Sequence, residues 1–393
     1  MDVTVPPIPP AYDGYRERVR AFVAEHRPDL GWTPRAGMRV PDDEADVEKL
    51  RAWVRALYDA GFAVDPPDGR GDEFESRILR EELGRAGVPY VLGNPLVAGA
   101  LRLFGTDEQR RTYLPPIARG DHIWTQLFSE PDAGSDLASL TTRADRDGDH
   151  FAVNGQKVWS TWAQFADFGY LLARTEPVAG PAGITAFILD MRTPGVTTRP
   201  LREMTGTSDF NEVFLDDVRI PAGNVIGEPG QGWRVATASL ATERGGVGLG
   251  GTADAVAALV GMARRYRRGG APAIEDSAVR QDIARFAARS RIQRALGYRV
   301  ATKAAAGTVD AWDAPLTKIW YSELNLELCE YAMALQGPVG ALVEGEPLAH
   351  DSGRWQDAFL YARAYTIAGG SNEIMRNLIA ERGLGLPREA RGS

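Results

Sequence analysis

The sequence predicts an α+β protein in three parts: helices over 1–120, strands over 121–228 and helices again over 229–393. Three observations predict it. Apolar residues recur at helical spacing up to about residue 120 and again from Gly232 onward. Between those stretches the period drops to two, and short runs are bounded by Gly, Pro and Asp. A chain of 393 residues is also long enough for two or three domains with ample cores.

In the first part, Tyr12–His26 carries Val19, Phe22 and Val23 at helical spacing. Glu44–Ala60 places Leu50, Trp53, Val54 and Leu57 on one stripe, with Gly61 as its stop. Glu73–Ala86 follows, ended by Gly87; Pro95–Phe104 and Asp107–Ala118 complete the set, with Thr106 as the N-cap of the last. The Gly120-Asp121 turn closes this part. Strand candidates in the middle are Phe151–Val153, Phe168–Arg174, Thr185–Leu189, Val196–Pro200 and Asn211–Val218, which fit a compact β-barrel or sandwich. Helical spacing returns in Gly232–Leu240, Thr242–Arg265, Val279–Ala305, Leu316–Leu335, Phe359–Ile367 and Glu373–Arg382. No internal repeat or low-complexity run interrupts the chain.

Bulk properties exclude several classes. A net charge of -8 argues against a nucleic-acid binder, which needs a basic face. The basic cluster Arg264-Arg265-Tyr266-Arg267-Arg268 reads as a solvated helix end. The single cysteine, Cys329, cannot form an internal disulfide and sits in an amphipathic helical run, so packing rather than a reactive thiol is expected. With no basic-apolar leader and no apolar window of about 18 residues, a cytoplasmic protein is expected. No metal-ligand spacing stands out.

The chemistry concentrates between Trp124 and Thr161. Gln126-Leu127-Phe128-Ser129-Glu130-Pro131-Asp132-Ala133-Gly134-Ser135-Asp136 opens this stretch, and Asn154-Gly155-Gln156-Lys157-Val158-Trp159-Ser160-Thr161 closes it. Between them Thr141–Val153 alternates around Asp145-Arg146-Asp147-Gly148-Asp149, a hairpin signal that puts both motifs at strand ends. Hydroxyls and loop N–H groups there suit the heteroatoms of a flat ring, and an indole can cover its face. Either motif alone reads equally as turns around a buried tryptophan. Together, at this spacing, they resemble the flavin-binding middle domain of acyl-CoA dehydrogenases. Asp132 departs from the glycine usual there. Further matches, Glu212-Val213-Phe214-Leu215-Asp216-Asp217-Val218-Arg219-Ile220-Pro221 and Ile226-Gly227-Glu228-Pro229-Gly230-Gln231-Gly232-Trp233, extend the resemblance over essentially the whole chain.

The resemblance implies a C-terminal four-helix bundle, FAD, and α,β-dehydrogenation of an acyl-CoA thioester. It implies that Leu127, Phe128, Ser129, Gly134, Trp159, Ser160 and Thr161 surround the isoalloxazine, and that Ser135 meets both the cofactor and the thioester arm. Gln336, Gly337, Ser371 and Glu373 would hold the dinucleotide part. Arg267-Arg268-Gly269-Gly270-Ala271-Pro272 replaces the family's Arg-x-x-Phe-Gly, so from that segment only Gln281 carries over. The family binds this part across a subunit interface, which implies a homodimer or homotetramer, or a heterotetramer, with an electron-transfer flavoprotein as acceptor.

The base is displaced. Where many members have Glu in the C-terminal loop, this chain has Gly369, in Ala368-Gly369-Gly370-Ser371-Asn372-Glu373. Isovaleryl- and long-chain-type members instead carry an acidic residue before an Arg after the Gly-Gln-Gly-Trp stretch; here that is Glu243-Arg244. Glu243 is therefore the candidate base, Arg244 a substrate-side residue, and Gly369 a retained main-chain donor to the thioester oxygen. Gly246-Val247-Gly248-Leu249-Gly250-Gly251 satisfies G-x-G-x-x-G, but helical residues precede it, so a dinucleotide turn is not expected. The small residues from Gly245 to Gly251 leave room for a wide, branched or polycyclic acyl group. A non-catalytic partner subunit, or a relative acting on a carrier-protein thioester or with O2, are the competing readings.

Overall fold

A computed structural model describes residues 8–30, 40–41, 43–63, 71–94, 96–246, 252–306 and 308–387, with the side chains of 73, 241–246, 301, 304 and 305 excluded. These residues divide into two compact units, one of Ile8–Pro34 and Arg39–Thr242, the other centred on Glu243–Ser393.

The first unit begins with five helices: α1 (Asp13–His26), α2 (Glu44–Asp59), α3 (Glu73–Ala86), α4 (Leu96–Phe104) and α5 (Asp107–Arg119). Their ends follow the capping chemistry of the sequence. The Asp72 carboxylate accepts from Phe74 N and Glu75 N at the start of α3, and Gly87 ends that helix at φ +67°. Thr106 and Gln109 form a reciprocal capping box on α5. Trp53, Val54 and Leu57 of α2 are buried with Ile78, Leu79 and Leu83 of α3.

Seven strands follow: β1 (Trp124–Leu127), β2 (Arg143–Asp147), β3 (His150–Lys157), β4 (Phe168–Arg174), β5 (Ile184–Asp190), β6 (Val196–Leu201) and β7 (Phe210–Pro221). They form one mixed sheet in the order β1-β4-β2-β3-β7-β6, with β5 also paired to β4. The predicted hairpin is β2–β3, with Asp147 opposite His150. The sequence did not disclose that β1 runs parallel to β4, Trp124 beside Phe168. Strands β4 and β5 are buried almost throughout because both faces are covered. Tyr170, Leu172, Ala186 and Ile188 face α4 and α5, while Leu171, Ala173, Phe187 and Leu189 face Val153 and Val213 across the sheet's other side.

Helix α6 (Gly232–Gly246) begins against β5. A Cβ on Gly232 would lie 2.5 Å from Thr185 C, so only glycine permits this approach. Val235 and Ala236 then enter the core with Phe128 and Tyr170.

The second unit contains α7 (Thr252–Arg265), a short ribbon of β8 (Arg267–Arg268) and β9 (Ala271–Pro272), then α8 (Ser277–Ala305), α9 (Asp313–Gln336), α10 (Arg354–Ile367) and α11 (Asn372–Leu378). Leu259 and Met262 of α7, Phe286 of α8, Leu324 and Leu328 of α9 and Trp355 of α10 share one core, as a four-helix bundle requires. Thr242–Arg265 was expected as a single helix; the described chain has α6 to Gly246 and α7 from Thr252, and residues 247–251 lie outside the described set. The expected last helix, Glu373–Arg382, is α11 continued as a wider turn over Ile379–Gly383. Among the described residues, no helix is long and apolar enough to cross a membrane.

Candidate active site

The two motifs of the middle segment meet. β1 delivers Leu127-Phe128-Ser129 and β3 delivers Lys157-Val158-Trp159, and Val158 N donates to Ser129 O at 2.9 Å. A buried ion pair fixes the junction. Lys157 Nζ, fully buried, donates to Glu130 Oε1 at 2.8 Å and to Phe128 O at 3.1 Å. Glu130 also accepts from Thr141 N, Thr141 Oγ1 and Thr142 N, at 2.7, 2.8 and 2.9 Å. Burial pushes the Glu130 carboxyl up, but the Lys157 charge and these bonds outweigh it and hold it at about 2. Burial lowers the Lys157 ammonium to about 8, against the pull of Glu130. Both residues lie inside the motifs, yet their role was missed. A strand lysine at a buried position, a few residues from a hydroxyl-rich loop, was the available signal.

Leu127 and Phe128 are buried, Ser129 is half-buried, and Gly134 and Ser135 are exposed. Asp132 is not among the residues with positive φ, so the loop does not require the glycine usual there. Instead Glu130 and Ala133 exchange backbone bonds of 3.1 Å across it.

Trp159 is strained, as is Trp162 three residues on at φ +66°. The Trp159 φ is +61°, a region costly to a bulky L-residue, and its side chain is 59% exposed with its ring edge-on to Phe210 at 5.9 Å. The bonds on either side enforce it: Val158 N to Ser129 O, and Ser160 N to Asn211 O at 3.1 Å. A tryptophan in a purely structural turn would be buried; this one is presented outward. Beside it, the buried Ser160 Oγ has no hydrogen-bond partner, while the Thr161 carbonyl is tied down by Thr125 Oγ1 at 2.8 Å. An exposed indole and an unsatisfied hydroxyl side by side fit a planar heterocycle with polar edges.

Position 243 follows Ser239 by four residues in α6. Ser239 is buried and meets the Tyr170 hydroxyl at 3.3 Å. The side chains of Glu243 and Arg244 lie outside the described residues, as do residues 247–251 of the G-x-G-x-x-G stretch. That stretch is entered from a helix, not a strand, so the dinucleotide-turn context is lacking.

In the second unit the candidates form two separate groups. Gln336 is buried at the end of α9, its carbonyl accepting from Tyr266 Oη at 3.0 Å, and Gly337 follows at φ +58°. Gln281 is exposed near the start of α8, next to Asp282, which neighbours Tyr331. The segment that departs from the family pattern is a hairpin, with Gly269 and Gly270 at φ +59° and +87° as its turn. The basic cluster there is engaged: Arg265 with Asp351, and Arg268 with Asp276.

The second group is the α10–α11 loop. Gly369 and Gly370 have φ of +67° and +95°, and a Cβ on Gly369 would meet nothing within 4 Å. Ser371 caps α11 by accepting from Ile374 N at 3.3 Å. The exposed Glu373 carboxyl is held below its ordinary range by its own backbone N–H and by the Ser371 hydroxyl, which suits a cap rather than a base. Lys318 of α9 touches this loop, and Lys318 and Gln336 are 18 residues apart on one helix. At 1.5 Å per residue that separates the two groups by about 27 Å.

Comparison with known proteins decides the family. Over 392 residues the chain is 38% identical to the acyl-CoA dehydrogenase IpdE1 of Mycobacterium tuberculosis, covering 96% of this chain and 98% of that one. The chain belongs to the acyl-CoA dehydrogenase family. It is an FAD-dependent oxidoreductase. The family's N-terminal, middle and C-terminal domain models match residues 10–121, 125–218 and 230–384. Human mitochondrial short-chain specific acyl-CoA dehydrogenase is 30% identical, covering 86% of this chain and 84% of that one. Among solved structures, the Tcur3481-Tcur3483 steroid ACAD matches with a TM-score of 0.82 and 30% identity, covering 99% and 100% of the two chains. The ChsE4-ChsE5 complex from Mycobacterium tuberculosis matches with a TM-score of 0.84 and 29% identity, at the same coverage.

Proposed function

We propose that this dehydrogenase oxidises the thioester of a bulky, polycyclic acyl-CoA, with Glu243 as the base. The observation that carries the reading is the open space at Gly369, where a carboxylate would stand in many relatives, together with a Glu-Arg pair on α6. Deprotonation α to the thioester needs a carboxylate in an apolar setting and a polarised carbonyl. Glu243 takes the α-proton, and Arg244 orients the acyl end. The N–H of Gly369 donates to the thioester oxygen, while Ser135 lines the thioester arm.

FAD, when bound, would supply the acceptor for the β-hydrogen as hydride. Leu127, Phe128, Ser129, Gly134, Trp159, Ser160 and Thr161 would hold its ring. The two groups of the second unit, about 27 Å apart along α9, cannot both grip one pyrophosphate from one copy. Ser371 and Glu373 would therefore serve one FAD, and Gln281, Gln336 and Gly337 that of a neighbouring chain. That neighbour is a second copy or a related chain; the two-chain names of the Tcur3481-Tcur3483 and ChsE4-ChsE5 structures favour the related chain.

The steroid substrate in the name of the first of these structures supports the polycyclic class. The test is a thioester panel mixed anaerobically with the FAD-loaded protein, alone and with a co-expressed relative, followed by flavin absorbance. Bleaching by polycyclic acyl-CoA thioesters and not by short straight chains is expected. Bleaching by short chains alone would overturn the substrate class; no bleaching by any thioester in either preparation would overturn the activity.

A further inference from the structure

The loop that carries Gly369 is tethered from beneath by one buried ammonium. Lys318 of α9 is 5% exposed, and its Nζ donates to Thr366 O at 3.2 Å, Gly370 O at 2.8 Å and Asn372 Oδ1 at 2.8 Å. The three oxygens come from three places: the last turn of α10, the glycine turn and the first residue of α11. One turn along α9, the buried Ser322 Oγ donates to the same Asn372 Oδ1 at 3.0 Å. Asn372 Nδ2 reaches on to Glu323 Oε1 at 3.4 Å, and Glu323 pairs with Arg376 of α11. One ammonium thus joins two helices and the turn between them.

The other side of the turn is free. Among the described residues, the N–H groups of Gly369, Gly370 and Ser371 donate to no acceptor. Because a trans peptide opposes its C=O and N–H, drawing Gly370 O down to Lys318 turns the Ser371 N–H away from it. Thr366 and Gly370 are both held, so Gly369 between them cannot swing. Two successive glycines at positive φ turn the chain here, and successive unused turn amides favour negative charge.

We infer that Lys318 is a positioning residue for the reaction: it locks the Gly369–Ser371 turn so that its outward N–H groups meet the thioester oxygen, and it sets a positive charge beneath the enolate that forms there. This rests on the dehydrogenase reading above. Lys318 touches neither substrate nor cofactor in this role. The long side chain was legible in the sequence only as one lysine within Leu316–Leu335, with nothing to mark it as buried.

The test compares wild type, Lys318→Met, Lys318→Arg and Asn372→Ala as FAD-loaded enzymes on a thioester that bleaches the wild type. Three readings are taken: the flavin-reduction rate at saturation, the KM, and the long-wavelength charge-transfer band formed with a 3-thia-acyl-CoA. That band reports how readily the bound thioester loses its α-proton. Removal of an oxyanion donor costs 10²–10³ in rate, so Lys318→Met, acting through the turn, should lose about 30-fold or more in rate and most of the band. KM and FAD content should stay within about threefold, and Lys318→Arg should recover part of the loss. A Lys318→Met enzyme that is less heat-stable yet keeps both rate and band would overturn the inference. Should Lys318→Met lose its FAD, Asn372→Ala decides: a rate about fivefold lower with a weakened band supports the tether, and wild-type values refute it. If no thioester bleaches the wild type, the dehydrogenase reading falls and this inference with it; failure of the variants alone leaves that reading standing.

Discussion

Two loops in this protein are each held by a buried lysine, and the lysines hold them differently. Lys157 meets a buried carboxylate, Glu130, and also a carbonyl of the loop it supports. Lys318 gives three hydrogen bonds to neutral oxygens at the α10–α11 junction, and its charge also helps lower the Glu373 carboxyl. The first arrangement makes a wall: both ends of the motif pair are fixed, with enough force to keep Trp159 in a left-handed conformation. The second leaves its upper side unoccupied, with free N–H groups and empty space at Gly369. On the function proposed above, the first loop stays put against a flat ring. On the same reading, the second presents donors to an oxygen that gains charge.

If the wall depends on the ion pair, breaking it should produce the largest effect. Lys157→Met strands a buried carboxylate, and stability should fall by about 3–5 kcal/mol in urea unfolding, with FAD lost in parallel. A change under about 1 kcal/mol would mean that the pair is not what holds the wall.

Acid should undo the same contact more gradually. Glu130 has its folded pKa lowered from 4.5 to about 2, so its stabilisation is complete above about 4.5 and is lost as pH falls towards 2. The full swing is on the order of 3 kcal/mol. Unfolding midpoints measured between pH 5 and 2 should fall in wild type and fall less in Glu130→Gln; equal slopes would exclude Glu130 as the source.

The strain at Trp159 gives a smaller effect of opposite sign. Trp159→Gly should stabilise the apoprotein by about 1 kcal/mol, because glycine accepts the left-handed region freely. The same change should weaken FAD binding about tenfold, the share expected of one stacked aromatic face. A destabilised apoprotein would show that the indole packs for structure. The smallest effect is expected at Asp132, exposed and without positive φ: Asp132→Gly should shift stability by no more than about 0.5 kcal/mol.

Much of this was legible in the sequence because local chemistry determined it. Thr106 capped α5 as expected, and β4 spans Phe168–Arg174, the strand expected there. The β2–β3 hairpin formed around Gly148, and the two motifs lie at strand ends as expected, though β1 itself was not foreseen. The long-range relations were not legible. Nothing in Trp124–Leu127 reveals a parallel neighbour 44 residues on at Phe168. Nothing in Leu316–Leu335 marks Lys318 as the lysine turned inward to the next loop, since its three oxygens lie 48 to 54 residues away. The glycine hairpin at Gly269-Gly270 was visible as a departure from pattern, but its two-residue turn emerged only from φ.

The most direct test of the central claim is single-turnover flavin reduction by Glu243→Gln on a thioester that bleaches the wild type. General-base removal is worth roughly 10²–10⁴ in rate. The variant should bind FAD at full stoichiometry and reduce it at least about 10³-fold more slowly, with no α-deuterium exchange into the bound thioester. Reduction at the wild-type rate would contradict the account, because the proton would then be leaving to a group other than Glu243.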